Sequence, residues 1–141
     1  MSDPKIPEFQ LWQEAARWLY YATDDIGVIE AVLKQPAPSL LGAAMHCQQA
    51  AEKMAKAVLI AFGNRPPRIH DLGRLARLVQ SVRSDIGAEL WAMAEITTWY
   101  AAARYPDVAF DTLPTLEEIH SVLAKLRALH ERILALAPKA R

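Results

Sequence analysis

The chain has 141 residues, 52% of them hydrophobic and 23% charged, with 16 basic side chains against 16 acidic ones. That length predicts one domain with a real core, and nine prolines with five glycines are too few for a disordered or collagen-like chain. Zero net charge excludes a protein built wholly around nucleic-acid phosphates but leaves room for a local basic patch.

Proline clusters divide the sequence into segments of helical rhythm, and no alternating strand-like run occurs. The first helix is expected over about 9–34, with Leu11, Ala15, Trp18, Leu19, Ala22, Ile26, Ile29 and Leu33 at three- and four-residue steps. After Pro36 and Pro38, Ser39 offers an N-cap for a second helix over 40–62, ended by Gly63-Asn64. Its stripe is Leu40, Ala44, Cys47, Ala51, Met54, Val58 and Phe62. A third helix is expected over 71–83, started by His70 or Asp71, with Leu72, Leu75, Leu78, Val79 and Val82 inward. Ser84-Asp85 caps a fourth over 86–104, facing Leu90, Met93, Ala94, Thr97 and Ala101 inward and ended by Pro106. Val108, Phe110 and Leu113 in the piece from Pro106 to Pro114 suggest that it packs down. Thr115-Leu116-Glu117-Glu118 reads as a capping box for the last helix, 116–136, whose Ile119, Val122, Leu126, Leu129, Ile133 and Leu136 alternate strictly by three and four. The expectation is an all-α, five-helix up-and-down antiparallel bundle with a four-helix core, residues 1–141 forming one domain.

The second helix is apolar over far more than one stripe, because Ala43, Ala50, Ala57, Ala61, Leu41 and Leu59 widen it on both flanks. Such a helix is either central in its own bundle or buried against a second copy of the chain. Gln48 and Glu52, four apart at the apolar boundary, need partners if buried. Arg65, Arg68, Arg74, Arg77 and Arg83 face only Asp71 between 65 and 83, a local balance of +4. Arg74 and Arg77 are i,i+3 neighbours able to hold phosphate through planar, bidentate contacts. Trp99 and Tyr100 stand within two turns of Arg104-Tyr105-Pro106-Asp107, so that corner could stack a base and neutralise a phosphate. His46, His70, His120 and His130 show no metal-site spacing, and the adjacent His46-Cys47 is poor geometry for a Cys–His nucleophile. Neither a resident metal nor a cofactor is expected. Cys47 is the single cysteine, which excludes an internal disulfide and suits a reducing compartment. No signal-like apolar stretch opens residues 1–5 and no apolar run is long enough to span a bilayer, so a cytoplasmic protein is expected.

Three stretches carry a family resemblance: His46-Cys47-Gln48-Gln49-Ala50-Ala51-Glu52-Lys53-Met54-Ala55-Lys56-Ala57, then His70-Asp71-Leu72, then Ala103-Arg104-Tyr105-Pro106-Asp107. In order and spacing they resemble the HEPN domain, the higher-eukaryote and prokaryote nucleotide-binding family, over nearly the whole chain. The resemblance implies a five-helix bundle that commonly dimerises and is often encoded beside a minimal nucleotidyltransferase, sometimes as a toxin–antitoxin pair. Many members are metal-independent ribonucleases marked by an arginine followed four to six residues later by a histidine. Here the next histidine after Arg104 is His120, too far away; Arg65 and His70 have the spacing but stand before the third helix, around Pro66-Pro67.

The resulting expectation is a non-catalytic module, dimeric chiefly through the second and last helices. It binds a nucleotide, an RNA or a nucleotidyltransferase partner through Gln48, Glu52, Lys53, Arg74, Arg77, Arg104 and Tyr105. The alternatives are a ribonuclease using Arg104 or Arg65 with His70, and a purely structural scaffold for another protein. Family analogy also allows adenylylation of Tyr105 by such a partner.

Overall fold

The computed structural model describes residues 6–96 and 114–139. Within them the chain forms α1 (Glu8–Leu33), α2 (Leu40–Ala61), α3 (Leu72–Gln80), α4 (Ser84–Ala92) and α5 (Leu116–Leu134), and no strand. Short polar side chains set three of the starts. Ser39 accepts from the Gly42 N–H at 3.0 Å, and Asp71 accepts from the Arg74 N–H at 3.3 Å. Thr115 and Glu118 form the reciprocal capping box, each bond 3.1 Å. At the end of α2, Gly63 takes a positive φ of 82°. Its N–H bonds to the Ile60 carbonyl, and the Asn64 N–H reaches back to Leu59, which makes a Schellman stop.

α2 lies at the centre and touches each of the other four helices, sharing its largest interface with α1. Ala43, Ala44, Ala50, Ala51, Ala55 and Ala57 are all buried, and these small side chains let neighbouring backbones approach from several sides. The last helix keeps its seam: Ile119, Val122, Leu126, Leu129 and Ile133 are buried in steps of three and four. Across to α1, Thr23 meets His130 and Glu30 meets Arg127, so one numbering rises as the other falls and the two helices run antiparallel. No helix among the described residues is long and apolar enough to cross a membrane.

The excess apolar surface of α2 is therefore closed mostly by its own chain, with Leu41 on its first turn left exposed, and the expectation that a second copy seals this helix is corrected. Other differences are local. Phe62, expected in the stripe, is exposed because it is the C-cap residue, where the backbone has left the helical rotation. Leu78 of α3 is also exposed. α3 ends at Gln80, not 83, and Ser84 is the first residue of α4, not its cap. Asp85 instead accepts from the side chains of Arg83 and Arg132. α4 stops at Ala92 where the expected helix ran on to 104. The N–H groups of Met93, Ala94 and Ile96 bond three residues back. That tighter spacing aligns Leu90, Met93 and Ile96, all buried, on one edge. Thr97, Ala101 and the piece holding Val108, Phe110 and Leu113 lie outside the described residues.

α3 and α4 meet at Gly87, where an added Cβ would stand 2.3 Å from the Gln80 Cγ and 2.5 Å from its backbone nitrogen. Gly87→Ala should therefore destabilise the fold by about 2 kcal/mol in urea unfolding, although alanine is the better helix former by about 1 kcal/mol. Asp85 binds Arg83 in two places, at 2.9 and 2.8 Å, and Arg132 at 2.7 Å; Arg132 also pairs with Glu89, tying α4 to α5. The Arg83 hydrogen bonds hold the Asp85 carboxyl well below the usual carboxylate range. Its contribution is then complete above about pH 4, where the unfolded carboxylate titrates, and is lost as the pH falls toward the depressed folded value. Asp85→Asn should lower Tm near neutral pH, and melting curves at falling pH should show the gap to wild type closing.

Candidate functional site

Because α2 is central, its polar side chains must find partners within the chain. They do so on two sides. Residues 46 and 53 are two turns apart and share one face. There Asp25 of α1 accepts from His46 Nδ1 at 2.9 Å and from Lys53 Nζ at 2.6 Å. Asp25 is buried, so each oxygen has exchanged water for a protein donor. On the neighbouring face, Gln48, Glu52 and Lys56 follow at four-residue steps. Lys56 Nζ bonds to Glu52 at 2.9 Å and lies 5.7 Å from the centroid of the Trp18 ring.

Glu52 also holds His70. The imidazole Nδ1 stands 3.0 and 3.1 Å from the two carboxylate oxygens and must donate, since a carboxylate only accepts. Gln48 Nε2 donates to the His70 carbonyl at 2.8 Å, while Gln48 Oε1 is buried without a hydrogen-bond partner. The loop before α3 is thus pinned to the central helix, with the His70 side chain still 61% exposed.

The arginines form a separate surface. Arg65, Arg68, Arg74 and Arg77 are exposed, and among the described residues none has a carboxylate at ion-pair distance. Arg83 does not belong with them, being bound to Asp85. Arg77 instead places its guanidinium 4.8 Å from the centroid of the Trp91 ring, which is 45% exposed on α4. The ring lies over Gly73, where an added Cβ would stand 3.4 Å from Trp91 Cζ3, at ordinary contact distance.

Of the residues singled out in the sequence, the structure gathers Gln48, Glu52 and His70 into one cluster, both α2 members being buried. Lys53 turns to the other side, toward Asp25. Arg74 and Arg77 lie on the open face of α3, and Arg104 and Tyr105 lie outside the described residues. Asp25 and Trp91 escaped the sequence reading. Asp25 left a trace: it falls between Ala22 and Ile29 on the apolar face of α1, where a carboxylate demands a cation. Trp91 left none, because its partner depends on how α3 and α4 pack. Among the described residues no group of three His, Cys, Asp or Glu side chains is placed to hold a metal ion. Burial pushes the Cys47 thiol up to about 12, the opposite of an activated nucleophile.

Among the described residues, five helices pack together with the alanine-rich α2 at the centre and a polar strip along it, an all-helical fold. The HEPN domain family model matches residues 15–136. The chain belongs to the HEPN domain family. No curated protein and no solved structure matches the chain.

The Asp25–Lys53 pair supplies a test of how the core tolerates its charges. Lys53→Met leaves Asp25 buried with only His46 and should cost about 3 kcal/mol in chemical unfolding. The double change Asp25→Leu/Lys53→Met should recover most of that loss, because it removes both charges from the interior.

Proposed function

We propose that this chain is a non-catalytic HEPN module that holds a phosphate-bearing ligand, a nucleotide or an RNA, on the arginine surface of α3 and the loop before it. The supporting observation is a contrast in charge. The buried carboxylates Asp25 and Glu52 each have a lysine and a histidine within the fold. Among the described residues, Arg65, Arg68, Arg74 and Arg77 are left exposed with no carboxylate at ion-pair distance of their guanidinium groups. Unpaired guanidinium groups in a neutral protein are a ready anion surface, and Trp91 beside Arg77 adds an aromatic face for a base. By family likeness the module works in the cytoplasm as a homodimer beside a minimal nucleotidyltransferase, in a toxin–antitoxin-like pair. With α2 closed internally, the dimer contact falls to other surfaces, and light scattering at micromolar concentration decides whether it forms.

A ribonuclease reading has one specific observation behind it. The buried Glu52 orients the exposed His70 through Nδ1, as a carboxylate orients a histidine that acts as base or acid. It would take the ribose 2′-hydroxyl as nucleophile, with an arginine for the developing charge.

Titration of labelled RNA and of labelled ATP and GTP tests the binding reading. At least one should bind saturably, and Arg74→Ala/Arg77→Ala should weaken that binding by at least about tenfold and flatten its salt dependence by about two phosphate contacts. Absence of saturable binding would leave only the protein-partner version. RNA incubated with the protein in EDTA should stay intact, and cleavage that vanishes in His70→Ala would establish the ribonuclease instead.

A further inference from the structure

A hollow of about 410 Å³ opens between α1 and α2, lined by Glu14, Arg17, Trp18, Tyr21 and Lys53. None of these residues belongs to the arginine surface of α3. Its size is at the lower end of small-molecule sites, about 300–1,000 Å³. Four of the five lining residues are two turns of one helix, 14, 17, 18 and 21, the spacing that brings side chains to a single face.

The walls define a chemistry. Trp18 and Tyr21 are aromatic, and Tyr21 is braced edge-to-face by Tyr20 at 5.8 Å between centroids. Lys53 is steered by Asp25, which takes one of its three N–H donors at 2.6 Å. Arg17 has no ion-pair partner among the described residues, so its planar fork is unused. Lys56 Nζ lies 5.7 Å from the Trp18 ring centroid. A cationic ligand would therefore meet Arg17 and Lys53 with Lys56 close by. An anion meets both donors, and Glu14 can accept an N–H or O–H from the same molecule.

We propose that this α1–α2 hollow is a binding site for a planar aromatic ring carrying one anionic group, the ring against Trp18 and Tyr21 and the anion on Arg17 and Lys53. It goes beyond the reading of the α3 surface and does not rest on it. The shared chemistry has two sources, a nucleoside monophosphate or an aromatic carboxylate, and the test separates them.

Calorimetric titration and ligand-observed NMR on the full chain would use adenosine 5′-monophosphate and indole-3-carboxylate as probes, with adenosine and indole as their neutral counterparts. At least one anion should bind saturably and more tightly than its neutral counterpart. Arg17→Gln and Tyr21→Ala, both exposed positions whose folding is checked by circular dichroism, should each weaken it, the first by at least about tenfold. Arg74→Ala/Arg77→Ala should leave this binding unchanged, so loss at Arg17→Gln alone speaks for the hollow and loss at Arg74→Ala/Arg77→Ala alone for the α3 surface. The proposal is overturned if neither anion saturates at millimolar concentration, if the neutral compounds bind as well, or if Arg17→Gln has no effect.

Discussion

Everything in this fold is arranged around a central helix that carries charge. α2 is surrounded by helices of its own chain, yet it holds Gln48, Glu52 and Lys56 buried and Lys53 half-buried. Removing an ionised group from water is expensive unless a partner replaces the lost hydration. Each of these charges meets that condition: Lys53 through Asp25 on α1, Lys56 through Glu52 one turn away on α2 itself, and Glu52 additionally through His70 in the following loop. The polar strip therefore fixes where α1 and the loop must sit against α2, a registration that the alanine-rich apolar surface alone would leave loose. Gln48 extends the same logic to the backbone by holding the His70 carbonyl.

This inward use of charge explains why the outward charge is available. With the buried carboxylates satisfied by lysine and histidine, the exposed arginines before and along α3 have, among the described residues, no carboxylate at ion-pair distance. The Arg83–Asp85–Arg132–Glu89 network shows the alternative fate of an arginine in the same chain: bound to carboxylates, it ties α4 to α5 and offers nothing to a ligand. Whether an arginine here is tied into the fold or left open is a matter of which side chains stand beside it, not of its position in the run.

Several features were legible before any coordinates. The apolar rhythm gave the long helices, because a three-and-four spacing can bury only one face of a helix. Ser39, Asp71, Thr115 and Gly63 marked their ends because caps act over three or four residues of local chain. The early end of α4 was not legible, since no glycine or proline marks Met93 and the tightening answers to burial of Leu90, Met93 and Ile96.

Local chemistry also flagged Gln48, Glu52, Lys53 and the arginines as residues that need partners or invite them. Their actual partners came only from tertiary structure, because each contact crosses between elements: Asp25 to Lys53, Glu52 to His70, Arg77 to Trp91. The same holds for the closure of α2. Periodicity shows how much of a helix is apolar, but whether its own chain or another covers it depends on how many helices the packing brings around it.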